Sequence, residues 1–108
     1  MSDFFKDVIE VVKLIPQGKV TSYGMIANYL GAKKSSRLVG WALNKVSQNS
    51  EIPAHRVVNR NGLLTGKNNF LTQNYMKEEL QKEGLIIIEN SIVDFNNHIW
   101  EPIKELTI

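Results

Sequence analysis

Cysteine is absent from this chain. That excludes disulfides, zinc ribbons and thiol nucleophiles together. Histidine occurs only twice, at His55 and His98, far apart in sequence, and no carboxylate spacing beside them suggests a metal site. Neither a metal nor an organic cofactor is therefore expected. Long apolar runs are missing too: Leu85-Ile86-Ile87-Ile88 is typical of the longest, far short of the roughly 20 residues that cross a bilayer. Met1-Ser2-Asp3-Phe4-Phe5-Lys6 has neither a basic n-region nor a cleavage site, so no signal peptide is expected. A soluble, cytoplasmic, monomeric protein without a membrane partner is the expectation. It would be nucleoid-associated, or nuclear in a eukaryote.

The last scarcity is of acidic residues, and it is local. Residues 11–77 carry ten basic side chains against a single acid, Glu51. The flanking segments are both net negative. A chain of 108 residues fits one domain, 1–108. Such segregation within one domain points to a polyanion-facing surface with an acidic, solvated remainder, and nucleic acid is the natural partner.

Phe4, Phe5, Val8, Ile9, Val12 and Ile15 recur at helical spacing, with Asp3 as N-cap and Pro16-Gln17-Gly18 as terminator. Thr21 or Ser22 caps a second helix that runs to Leu30 and stops at Gly31. After Lys33-Lys34, Ser35 or Ser36 caps a third, with Leu38, Val39, Ala42, Leu43 and Val46 inward. Two short helices joined by a tight glycine-containing turn read as a helix-turn-helix. Arg56-Val57-Val58 reads as a buried strand, Asn59-Arg60-Asn61-Gly62 as a hairpin turn, and Leu63-Leu64 as the return strand. A fourth helix is expected over about 73–83, ended by Gly84, followed by strands at 85–88 and 92–95. Trp100-Glu101-Pro102 closes the core edge. The fold class is thus mainly α with short β elements, a winged helix-turn-helix-like domain.

Three segments carry a more specific signal. They are Gly18-Lys19-Val20-Thr21-Ser22-Tyr23-Gly24, Ser36-Arg37-Leu38-Val39-Gly40 and Pro53-Ala54-His55-Arg56-Val57. In order and together they resemble the DNA-binding domain of the O6-alkylguanine-DNA alkyltransferases. Members of that family typically read Gly-Lys-Val-x-x-Tyr-Gly, Arg-x-Val-Gly and Pro-Cys-His-Arg-Val. The resemblance spans residues 5 to about 88. Its one decisive departure is Ala54, which stands where the alkyl-accepting cysteine belongs. The chain therefore resembles the alkyltransferase-like branch, which recognises alkylated guanine without repairing it.

The resemblance implies roles residue by residue. His55 and Glu83 match the residues that activate the thiol. Without a thiol they are expected to be a vestigial, structural pair, a buried imidazole bonded to a carboxylate that ties the loop to the fourth helix. The O6 atom lies inside the duplex stack, so recognition requires nucleotide flipping. Arg37 matches the arginine that fills the vacated space, its alternative being an ordinary phosphate contact. Tyr23 matches the tyrosine that presses on the flanking phosphate, its alternative being a half-buried core residue. Lys33, Lys34, Ser36, Gly40, Trp41 and Lys45 complete the expected DNA-binding set. Trp41 reads equally well as a core anchor. Small residues at Gly40 and Ala42 suit close approach to a minor-groove wall.

Tyr23, Pro53, Ala54, Val57, Lys67 and Phe70 are expected to line the lesion pocket, slightly enlarged by the lost sulfur. The family's Tyr-Ser-Gly-Gly loop is replaced here by Asn69-Phe70-Leu71-Thr72. The implied partners are double-stranded DNA containing O6-alkylguanine and, downstream, nucleotide-excision repair proteins. The implied function is a non-enzymatic damage sensor in DNA repair. A helix-turn-helix regulator without lesion recognition is the competing reading. A transferase using a tyrosine or lysine nucleophile is a third.

Overall fold

The computed structural model describes residues 2–31 and 35–106. Helix α1 spans Ser2–Lys13, so Asp3 lies inside its first turn rather than capping it. Val8, Val11, Val12 and the following Ile15 are buried, with Phe4, Phe5 and Ile9 half-buried beside them. The helix unwinds through tightened turns at Leu14 and Ile15 before Pro16, which has no amide hydrogen to continue it.

The chain then runs through strand β1 (Thr21–Ser22) into α2 (Tyr23–Tyr29). Of the two candidate caps, Ser22 acts. Its Oγ accepts the Met25 amide at 3.1 Å from an extended backbone, which satisfies one of the orphan donors at the helix start. Gly31 ends the helix with φ +75°, a left-handed conformation natural to glycine. Helix α3 spans Ser36–Val46. Ser35 occupies its cap position, but its side chain makes no capping bond. Val39, Ala42 and Leu43 face inward against α1 and α2.

The β elements are two residues long each, and one pairing differs from expectation. Strand β2 (Val57–Val58) pairs in parallel with β1, Thr21 opposite Val57 and Ser22 opposite Val58. It does not form a hairpin with Leu63-Leu64. The Asn59–Gly62 turn does close, with Asn59 Oδ1 accepting the amides of Asn61 and Leu63. Beyond it, however, Leu63 bridges to Ser91 and the Leu64 amide donates to Asn90 O. On the other side of β1, Val20 bridges Ile99 and accepts the Trp100 amide at 2.8 Å. Trp100 thereby closes the core edge, 7% exposed.

Helix α4 (Tyr75–Lys82) is shorter than the 73–83 expected and buries Met76 and Leu80. Strands β3 (Ile87–Ile88) and β4 (Ser91–Ile92) form an antiparallel pair around Glu89 and Asn90, both at positive φ, as a two-residue hairpin turn requires. β4 stops before Phe95, which opens a 3₁₀ turn through Asn97. A last helix, α5 (Pro102–Glu105), is not foreshadowed by periodicity.

Two apolar clusters result. The larger joins α1, α2, α3, Ala54, Val57 and Trp100. The smaller joins Val20, Val58, Leu64, α4 and the hairpin. Phe70 packs against both. Among the described residues no helix is long and apolar enough to cross a membrane, and no group of acidic and histidine side chains is arranged to hold a metal ion.

Candidate nucleic-acid interface

Burial of Val39, Ala42 and Leu43 turns the opposite face of α3 to solvent. Arg37, Trp41, Asn44 and Lys45 are exposed there, with Ser36 at the helix start. Trp41 is 55% exposed, so it does not anchor the core. Ala42, read as a groove-facing small residue, is instead buried at 1%. Gly40 is half-buried, and a Cβ there would lie 3.9 Å from the Tyr23 ring. That is an ordinary van der Waals distance, so the contact between α3 and the start of α2 does not itself require glycine. Lys45 Nζ stands 6.0 Å from the centre of the Phe5 ring, a cation–π contact that ties the end of α3 to α1. Lys33 and Lys34 lie outside the described residues.

Tyr23 is half-buried and tightly packed. Its hydroxyl is 2.8 Å from where a Cβ on Gly66 would sit. Burial pushes its pKa up, and a hydrogen bond with the Thr65 side chain opposes that in part. Beside it opens a recess of about 380 Å³ lined by Tyr23, Gly24, Ser36, Asn59 and Arg60. Arg60 and Asn59 were not anticipated at this surface. The signal was available, since Arg60 belongs to the basic run and its turn projects from β2.

Ala54 opens a 3₁₀ turn (Ala54–Arg56) after Pro53 and is 5% exposed. Tyr23, Ala54, Val57 and Phe70 line one cavity there, as anticipated, together with Leu43, Ser47, Gly66, Asn69 and Met76. Pro53 and Lys67 do not line it. Its volume is about 10 Å³, on the order of a single water.

Behind Ala54 lies a charged hub centred on Glu83, whose side chain is 7% exposed. His55 Nε2 is 2.7 Å from Glu83 Oε2. Arg56 donates Nε to both carboxylate oxygens at 3.0 Å and a terminal nitrogen to Oε2 at 2.8 Å. The Gly18 amide donates to Oε1 at 2.9 Å, and Arg56 reaches on to Ile15 O at 2.8 Å. Burial by itself raises the Glu83 pKa. The hydrogen bonds from Arg56, Gly18 and His55 outweigh it and hold the carboxyl below its ordinary value. The expected structural pair of His55 and Glu83 is present, but it is part of a larger clamp. Arg56 and Gly18 were missed. A buried carboxylate needs charge compensation, and Arg56, next to His55, was the available cation.

A family model for the DNA-binding domain of 6-O-methylguanine DNA methyltransferase matches residues 3–85. The chain is 31% identical over 106 residues to Alkyltransferase-like protein 1 of Schizosaccharomyces pombe, covering 94% of this chain and 98% of that one. It is 32% identical over 102 residues to a DNA base-flipping protein of Vibrio parahaemolyticus, covering 94% and 100%. Its fold matches the crystal structure of S. pombe Atl1 in complex with damaged DNA containing O6-carboxymethylguanine. The TM-score is 0.79 at 29% identity, over 94% of this chain and 98% of that one. With helix-turn-helix, Pro-Ala-His-Arg-Val turn and Glu83 clamp all in place, the chain belongs to the 6-O-methylguanine DNA methyltransferase DNA-binding-domain family, in its alkyltransferase-like branch.

Proposed function

We propose that this protein recognises O6-alkylguanine in duplex DNA by flipping the nucleotide, and that it transfers no alkyl group. The carrying observation is Ala54: a methyl group stands at the nucleophile position of a site whose His55–Glu83 pair is otherwise intact. A methyl has no lone pair and no titratable proton, so the thiolate chemistry of the parent enzymes has no starting point.

The recognition half rests on the exposed face of α3. Arg37, in its first turn, has a planar, permanently charged group able to stack and to bond an orphaned base. The degenerate minor-groove code suits a protein searching for damage rather than sequence. The S. pombe relative crystallised with O6-carboxymethylguanine DNA supports the same reading. Without a reaction, the useful output is persistence: a bound monomer marks the lesion and presents it to excision-repair proteins. This role places the protein where DNA is, in the cytoplasm or nucleus.

The test of the chemistry is direct. After incubation with excess O6-methylguanine duplex, the intact mass of the chain is expected to be unchanged and the lesion recovered from the DNA. One added methyl per chain would overturn the proposal. Binding itself is expected to follow counterion release. If about five phosphates are neutralised, the log–log slope of affinity against salt is roughly −4 to −5. A flat response would remove the basic face as the contact surface.

A further inference from the structure

Tyr23 stands between two spaces. It lines both the cavity of about 10 Å³ at Ala54 and the outer recess of about 380 Å³ beside Asn59 and Arg60. We propose that Thr65 and Gly66 are positioning residues for Tyr23: Thr65 bonds its hydroxyl, Gly66 leaves the room for it, and the preference for a lesion depends on the ring being fixed there. This inference rests on the flipped-lesion reading above.

Both ends of Tyr23 are tied. At the backbone end it opens α2, directly after the Ser22 cap. At the far end its hydroxyl shares a hydrogen bond with the Thr65 side chain. The seat under that hydroxyl is itself held. Leu64, just before Thr65, is buried in the smaller apolar cluster, and its amide donates to Asn90 O at 2.9 Å. On the other side of Gly66, Asn69 O accepts the Ser47 hydroxyl at 2.6 Å, and the Asn69 amide donates to Gly66 O at 3.0 Å. Thr65 and Gly66 therefore lie between two anchors that belong to distant parts of the chain.

Gly66 shows that the room is made for the hydroxyl. Its φ of −85° and ψ of 6° are those of an ordinary turn residue, so the backbone does not call for glycine. A Cβ there would meet the Tyr23 hydroxyl at 2.8 Å and Asn69 Nδ2 at 3.9 Å. Only the first is a clash, so it is Tyr23 that requires the glycine. A ring fixed in this way has little rotamer freedom left to lose on binding, whereas ordering a loose side chain at an interface weakens affinity. A duplex bound without flipping does not use the wall that Tyr23 forms. The benefit of fixing the ring therefore falls on the lesion.

The readout is the ratio of dissociation constants for guanine and O6-methylguanine duplexes of one sequence, titrated by fluorescence anisotropy. Thr65→Val, made at an exposed position, removes the hydroxyl and keeps the shape. It is expected to lower the ratio about three- to tenfold, the value of ordering one side chain at an interface. Thr65→Ser returns the hydroxyl and is expected to restore it. Gly66→Ala is expected to lower the ratio in the wild-type background and to have no effect beside Tyr23→Phe, where the oxygen that the new methyl would meet is gone. A ratio that Thr65→Val leaves unchanged, or that Thr65→Ser fails to restore, overturns the proposal. So does a Gly66→Ala loss that persists beside Tyr23→Phe. If the wild-type protein binds both duplexes equally, lesion recognition itself fails and this inference falls with it. A wild-type preference that Thr65→Val and Gly66→Ala leave intact condemns the positioning role alone.

Discussion

Glu83→Ala is expected to cost about 3–5 kcal/mol of folding stability, the range for removing one partner of a buried, hydrogen-bonded charge cluster. That is a large part of the roughly 5–15 kcal/mol that holds a domain of this size folded. The magnitude follows from what the carboxylate holds: His55 and Arg56 from the Ala54 turn and the Gly18 amide from the loop before β1. The Arg56 side chain, 17% exposed, would be left with a charge and no counter-ion. A urea titration reads the effect as a shift in midpoint, and a loss under about 1 kcal/mol, the scale of a surface ion pair, would refute the clamp. The same group predicts a pH dependence. Its folded pKa lies below the ordinary 4.5, so in the window beneath that value the unfolded chain binds more protons than the folded one. Stability is then fully present above about 4.5 and falls as the pH drops through the lower folded value.

Arg37→Ala is expected to abolish most of the preference for O6-alkylguanine while sparing general DNA binding. Arg37 is exposed and sits in the first turn of α3, where removing it disturbs no core contact. If it fills the stack beside a flipped nucleotide, its loss removes on the order of ten- to a hundredfold from lesion affinity, about 1–3 kcal/mol. Plain-duplex affinity would fall only by one phosphate contact, with a change of about 0.9 in salt slope. Competition binding with lesion and control duplexes reads both numbers from one preparation. Parallel losses on the two duplexes would make Arg37 an ordinary phosphate contact.

Much of the fold was legible because it is locally encoded. The helices of the helix-turn-helix follow from apolar spacing, Ser22 at a cap and Gly31 at a stop, each acting within a few residues. The parallel pairing of Thr21-Ser22 with Val57-Val58 was not legible. Two-residue strands carry no periodicity, and Asn-Gly after Val58 argued for a hairpin that tertiary contacts override. The site divides the same way. His55, Glu83, Tyr23 and Ala54 were readable from motif positions. Arg56 and Gly18 were not, because their roles depend on where α4 ends in space. Phe70 lines the cavity at Ala54 together with Leu43 of α3 and Met76 of α4 and stacks on Tyr75, contacts between distant segments that local spacing does not encode.

The most direct measurement is the ratio of dissociation constants for two duplexes of one sequence, one with O6-methylguanine and one with guanine at the same position. Recognition without reaction predicts tighter binding to the lesion, a ratio constant over time, and DNA that still holds its methyl group when released. Equal affinity for the two duplexes would contradict the account.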